Sequence, residues 1–195
     1  EEIIQGNIAS TFRLLEAIRL SGKPIRIIFT SSSQVYKISG GKKPIRESDA
    51  TEPSGLYGVC KKAAEDMIRL SGLPYTLLRL TNVFGPGCRP NYNSVVATFC
   101  ERAVNKFPLN VNGDGSQGRD FVYIDDAIRA FLLAGMREGD SQSGIFNISS
   151  GKIVTVRRLL QTIRRSVPET QVVFNREADA GGASYCCDNS RFMKQ

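Results

Sequence analysis

Apolar positions along the chain follow two periods. In residues 3–22, IIQGNIASTFRLLEAIRLSG, they recur every three to four positions, which predicts an amphipathic helix. Gly22 supplies the residue best suited to a left-handed C-terminal cap. Residues 25–30, IRIIFT, are β-branched and apolar nearly throughout, the pattern of a strand buried in a parallel sheet. SSSQVY follows at its C-terminal end. Residues 37–56 are rich in Lys, Gly, Pro, Ser and Asp and read as a long surface loop. YGVCKKAAEDMIRLSG, 57–72, repeats the helical period and ends on another Gly. YTLLRL, 75–80, is a second buried strand, and TNVFGPG, 81–87, is a turn-rich loop. NSVVATFCERAVNK, 93–106, predicts a helix capped by Asn93. Beyond it the elements shorten: a strand near 109–112, a glycine loop, extended DFVYI, a helix near 125–136, a strand GIFNIS at 144–149, and a helix TVRRLLQTIRR at 155–165.

Alternating helices and buried strands in the first half predict an α/β fold with part of a doubly wound parallel sheet. The shorter elements predict a smaller mixed α/β lobe, with the division at 1–107 and 108–195 and with elements free to interleave. Ligands of such sheets bind at the C-terminal strand ends. Those ends, TSSS and TNVFG, are both polar.

Charge changes this picture little. The formal net charge is +7, but the cations form separate short clusters (KPIR, GKKPIR, RPNYN, VRRLLQTIRR) without interleaved aromatics. Solvated surface cations account for them better than a nucleic-acid interface. The five cysteines, Cys60, Cys88, Cys100, Cys186 and Cys187, are odd in number and two are adjacent, which argues against a disulfide framework. No apolar run reaches membrane-spanning length and no signal peptide is visible, so a reducing cytoplasm is expected. Histidine is absent altogether. That removes Ser-His-Asp and Cys-His catalysis and the usual zinc sites, and no metal site is expected. Acid/base chemistry then falls to a carboxylate or to a Tyr or Lys with a shifted pKa.

Tyr57 and Lys61 stand four apart at the start of a predicted helix and share one face. A free tyrosine, with a pKa of about 10, is almost wholly protonated at pH 7. A nearby ammonium favours the phenolate, a positive nicotinamide ring would do so further, and the helix N-terminus acts in the same direction. A tyrosine so placed can exchange a proton with a substrate hydroxyl. Ser32, just past a buried strand, carries a hydroxyl able to orient that substrate oxygen.

The strand, the serines, the gap and Tyr-x-x-x-Lys together resemble the extended short-chain dehydrogenase/reductases, specifically the NAD-dependent epimerase/dehydratase group acting on nucleotide sugars. NIASTFRLLEA resembles that family's Asn-led helix, and IIFTSSSQVY its serine-bearing strand end. LYGVCKKAAED resembles its catalytic helix, and LRLTNVFGPG the strand and loop that follow. LNVNGDGSQGRDFVYIDDAIRA resembles its substrate-side loop and GIFNISSGKIVTVRRLL its C-terminal lobe. The likeness runs in order from Asn7 to about Leu160.

The resemblance implies a Rossmann-type sheet and an NAD(P)-dependent nucleotide-sugar enzyme, with NAD as the expected cofactor and NADP an alternative. It implies Tyr57 as acid/base, Lys61 as holder of the cofactor ribose, and Ser32 as the residue positioning the substrate hydroxyl. Asn7 and Thr81 would touch the cofactor, with Thr30 or Ser31 supplying backbone contacts. Asn82 would hold the sugar diphosphate. Asn93, Asn110, Val111 and Asn112 would line the nucleotide pocket, and Arg119 would pair with the diphosphate through its guanidinium fork. The family dimerises through the helices at 2–20 and 57–71, so a homodimer is expected.

Two departures refine this. The family opens with strand–GxxGxxG–helix and then a ribose-binding acid, and nothing before residue 25 supplies them. The chain is therefore expected to be a fragment. The 4,6-dehydratases follow the catalytic Ser/Thr with Asp-Glu, whereas this chain has Ser33 and Gln34, which cannot serve as general acid/base at neutral pH. Dehydration is disfavoured, and 4-epimerisation through transient hydride transfer is the expected outcome. Reduction of a keto sugar, decarboxylation, or non-catalytic redox sensing stand as alternatives.

Gly113, Gly115 and Gly118 spell G-x-G-x-x-G, with Glu138 about twenty residues beyond, which mimics a dinucleotide fingerprint. A true fingerprint opens a helix after its last glycine. Here RDFVYI follows Gly118, so the loop is expected to face the substrate instead.

Overall fold

The computed structural model describes residues 1–23, 25–41, 43–136, 143–179 and 181–194. The N-terminal helical pattern is resolved into a turn, α1 (Glu2–Ile4), a π-helical turn at Gln5–Ala9, and α2 (Ser10–Ser21). Gly22 closes α2 at φ 64°, the left-handed cap that its lack of a Cβ permits. A long irregular stretch separates β1 (Ile27–Ser32) from α3 (Leu56–Leu70). β2 (Tyr75–Leu80) lies where the apolar run predicts it.

β1 begins and ends two residues later than the apolar run suggests. Its register runs from Ile27 opposite Tyr75 to Ser32 opposite Leu80, so pairing with β2 draws Ser31 and Ser32 into the strand. The third strand, β7 (Gly144–Ile148), pairs parallel with the other edge of β2 and gives the order β1-β2-β7. The sheet is covered on both faces, as doubly wound sheets are. Leu77 and Ile27 pack toward α2 and α3 with Ile18 and Ile68. Leu78, Leu80, Phe146 and Ile148 pack toward α5 (Ile124–Met136) through Ala127, Ala130 and Ala134. Leu77 and Leu78 are both fully buried. Each contributes about 1.5–3 kcal/mol by leaving water.

A second core lies beside the sheet. α4 (Val95–Val104) and α6 (Val156–Ser166) bury Phe99, Ala103, Leu160 and Ile163 against Leu109 and Val111 of β4 (Leu109–Asn112). β4 pairs parallel with β9 (Val172–Asn175). Thus β7 and α5, late in the chain, join the main sheet, while α4 belongs to the second core. The capping residue of α4 is Ser94 rather than Asn93: its side chain accepts from the Ala97 N–H at 3.3 Å.

Of the four strands in two further short pairs, only β6 (Phe121–Tyr123), inside the extended DFVYI, was visible in sequence. β3 (Asn82–Phe84), inside the stretch read as a loop, pairs with β6, and β5 (Gly118–Arg119) pairs with β8 (Val154–Thr155). A last turn, α7 (Ser190–Met193), sets Phe192 against Phe146 with ring centres 5.8 Å apart. Among the described residues no helix is long and apolar enough to cross a membrane.

Candidate active site

Tyr57 is the second residue of α3, at the C-terminal edge of the parallel sheet. Gly58 explains how α3 comes so close to the turn after β1. A Cβ there would stand 2.3 Å from the Gln34 carbonyl oxygen and 2.8 Å from Pro53 Cβ. This approach brings the Tyr57 phenol close enough to Ser32 for the serine side chain to lower its pKa. Ser32 is itself buried, and its Oγ accepts from the Gln34 N–H at 3.2 Å.

Lys61, one turn further, donates from Nζ to the Thr30 carbonyl at 2.9 Å. It lies 5.0 Å over the Phe29 ring and 5.7 Å over the Tyr57 ring. The three residues expected to act together are therefore together, along one stripe of α3 and the end of β1.

Their electrostatics differ from the expectation of an ammonium-activated tyrosine. Burial pushes the Tyr57 phenol above its ordinary value; the Ser32 side chain acts the other way, and the nearby Tyr92 adds a smaller upward push. Burial also pulls Lys61 below its ordinary value. The ammonium donates to a backbone carbonyl, and burial dominates at the phenol.

The other expected site residues fall into two groups. Thr30 is exposed, and Thr81 closes β2, its N–H donating to the Ile148 carbonyl at 3.1 Å. Asn7 sits half-buried in the π-helical turn that adjoins α3, with Nδ2 donating to the Ile3 carbonyl at 2.8 Å. Ser31 points away from the cofactor side, into the protein, where its Oγ donates to Glu65 at 2.5 Å. Only its backbone is available for a ligand.

On the substrate side, Asn82 is tied to β6: its backbone N–H and its Nδ2 both donate to the Asp120 carbonyl at 3.0 Å. Asn110 and Asn112 are exposed on one face of β4, and Asn93 is exposed before α4. Val111 is 2% exposed and belongs to the second core, so its side chain lines no pocket. Strand alternation requires this once its neighbours face out. Arg119 donates from Nη1 to the Gly118 carbonyl at 2.8 Å and from Nη2 to the Gly181 carbonyl. Three of the five N–H groups of a guanidinium remain for a ligand.

Tyr185 joins these two groups and was not identified in sequence, since nothing near it forms a motif. Its hydroxyl shares a hydrogen bond with Ser33 Oγ at 2.9 Å. Burial raises its pKa, while Ser33 and the Arg119 charge lower it. Tyr185 therefore stands on Ser33, next in sequence to Ser32, and within the influence of Arg119. Glu65 was likewise missed, although its place four residues past Lys61 on the apolar face of the helix marked it as a buried charge.

The glycine loop behaves as its sequence context predicts. Gly113 and Gly115 take φ of 73° and 78°, and Gly118 leads into β5 and then β6 rather than into a helix. The N-terminus of α6 does abut the loop, but its first N–H groups are already taken: Val156 and Arg157 donate to the Gln117 and Gly115 carbonyls, both at 3.0 Å. Glu138 lies outside the described residues. Among the described residues no group of three His, Cys, Asp or Glu side chains is placed to hold a metal ion.

Comparison with known proteins gives a consistent picture. The family profile described as "NAD dependent epimerase/dehydratase family" matches residues 1–149. A UDP-2-acetamido-2,6-beta-L-arabino-hexul-4-ose reductase of Pseudomonas aeruginosa is 37% identical over 68% of this chain and 32% of that protein. A UDP-N-acetylglucosamine 4-epimerase from Methanobrevibacter ruminantium M1, solved with UDP-N-acetylmuramic acid, superposes with a TM-score of 0.87 at 29% identity. The match covers 97% of this chain and 62% of that one. A UDP-glucuronic acid 4-epimerase from Bacillus cereus, solved with UDP-glucuronic acid and NAD, gives 0.87 at 26% identity over 98% and 61%. The chain thus spans about a third of that curated relative and about three fifths of those solved chains.

Proposed function

The chain belongs to the NAD dependent epimerase/dehydratase family, and from that premise we propose that it is the catalytic part of a UDP-sugar 4-epimerase. The observation that carries this reading is the single stripe of Tyr57 and Lys61 on α3 at the end of β1, with Lys61 donating to the Thr30 carbonyl and 5.7 Å over the Tyr57 ring. The relatives act on nucleotide sugars and include 4-epimerases, reductases and decarboxylases. Ser33 and Gln34 lack the acid and base that dehydration demands, which favours the epimerase.

Bound NAD supplies the hydride acceptor for the sugar carbon. Lys61 offers two further N–H donors beside the exposed Thr30 for ribose hydroxyls, so these residues fit the group, and Asn7 and Thr81 are assigned to it by the family resemblance. Tyr57, as the phenolate, takes the proton of the sugar 4-hydroxyl. Ser32 holds that hydroxyl in line. A keto sugar results when hydride leaves C4. After the ring presents its other face, Tyr57 returns the proton as C4 regains the hydride. Arg119, with Asn82 and the exposed face of β4, anchors the nucleotide diphosphate throughout. A phenol is ordinarily protonated at neutral pH and burial pushes Tyr57 further that way; a positive charge arriving with oxidised cofactor would favour its ionisation.

The experiment is interconversion of a UDP-hexose and its C4 epimer by the intact protein with NAD, using substrate deuterated at C4. Retention of deuterium in the product supports the proposal; loss of the label or absence of any epimer contradicts it. The 37% identity to a keto-sugar reductase favours reduction as the second reading, recognised by stoichiometric consumption of reduced cofactor.

We place the protein in the cytoplasm on its five unpaired cysteines. We also propose a homodimer through α2 and α3. Phe12, Leu20, Leu56, Val59 and Leu70 are exposed on these helices, Leu70 at 87%.

A further inference from the structure

Glu65 is a fully buried carboxylate with no part in the chemistry above. It stands on α3 two turns beyond Tyr57 and one beyond Lys61, on the same stripe. Its Oε1 accepts from Ser31 Oγ at 2.5 Å and from Arg79 Nε at 2.9 Å, and its Oε2 accepts from Arg79 Nη2 at 2.6 Å. Ser31 and Arg79 stand opposite each other on β1 and β2. Arg79 is 3% exposed and lies 4.7 Å over the Tyr36 ring, so its guanidinium is held in one orientation.

The place of Ser31 gives this cluster its meaning. It lies between Thr30, whose carbonyl holds Lys61, and Ser32, whose side chain acts on the Tyr57 phenol. One carboxylate therefore ties the helix carrying the acid/base to the strand carrying its partners, at the residue between the two contacts. A buried ion pair is a poor device for stability alone. Desolvation offsets most of its Coulomb gain, and apolar side chains of similar volume often serve as well or better. Apolar packing is non-directional, however, while a bidentate guanidinium–carboxylate pair fixes a register. We propose that Glu65, held by Arg79 and Ser31, is a positioning residue that sets Tyr57 beside Ser32 and Lys61 on Thr30. The proposal rests on the acid/base role given to Tyr57.

The test is Glu65→Leu with Arg79→Met in the intact enzyme, which removes both charges together and keeps the core filled. The expected result is a cooperative fold melting near the wild-type temperature, a KM within about twofold, and a kcat lowered about 10- to 100-fold. The Tyr57 titration midpoint, read from ¹³C-labelled tyrosine Cζ resonances in ligand-free protein, should move upward as Tyr57 shifts away from Ser32, which lowers it. Wild-type kcat with an unchanged midpoint would overturn the proposal. Should the double variant not fold, Ser31→Ala deletes only the hydroxyl and keeps the backbone. It should lower kcat about threefold or more at constant KM, and a wild-type kcat and midpoint there overturns the proposal equally. The titration needs no substrate. Inactivity toward every nucleotide sugar would therefore contradict the epimerase reading while the midpoint still decides the role of Glu65.

Discussion

Single atoms decide much of this site. The 2.3 Å approach that a Cβ on Gly58 would make to the Gln34 carbonyl leaves no room for a methyl group, and the obstacle is backbone. Gly58→Ala should cost about 1–3 kcal/mol of stability. It should also lower kcat by pushing the first turn of α3 away from Ser32, measured by denaturant melts and steady-state rates. A variant as stable and active as wild type would show that α3 does not depend on this contact. The Tyr57–Ser32–Lys61 grouping was legible in sequence because helical spacing and a strand end are local patterns. The anchor of Lys61 was not, because it is a main-chain carbonyl of Thr30 that only the packing of α3 on β1 supplies. Val111 was misread for a different reason. It was grouped with Asn110 and Asn112 as a segment, although a period of two turns the middle residue inward.

At the scale of elements, the long apolar runs were readable and the short pairs were not. β2 matches its run because a buried strand declares itself in six apolar-rich residues. β3, β5 and β8 are two or three residues long and exist only through partners distant in sequence. α4 shows how a cap depends on one hydroxyl. Ser94 accepts from the Ala97 N–H, and Thr155 does the same for Arg158 at the start of α6. Ser94→Ala should destabilise the protein by about 1 kcal/mol, and Asn93→Ala by only a few tenths. Equal losses in thermal melts of the two variants would contradict Ser94 as the cap.

At the scale of the whole molecule, burial leaves several acids harder to ionise than in the unfolded chain. Tyr36, Tyr57, Tyr185, Cys186 and Cys187 are all raised, chiefly by burial. The folded state keeps these protons where the unfolded chain has released them. Their contribution is therefore fully present below the ordinary thiol and phenol values of 9.0 and 10.0 and is lost as pH rises through them. Cys100 is raised by burial as well, so Lys61, lowered by burial and working in the opposite sense, is one group against six. The melting temperature should fall between about pH 8 and pH 10.5; a flat or rising profile would show that these groups are solvated. The exposed apolar faces of α2 and α3 predict a dimer by light scattering at micromolar concentration, and a monomer alone would reject it.

The central claim is that Tyr57 moves the proton of the sugar hydroxyl. Tyr57→Phe removes one oxygen and keeps the ring, so packing and substrate binding should survive. In the intact enzyme turning over a UDP-hexose with NAD, kcat should fall about 10²- to 10⁴-fold while KM changes little. Turnover within about twofold of wild type, on every substrate that wild type accepts, would contradict the account.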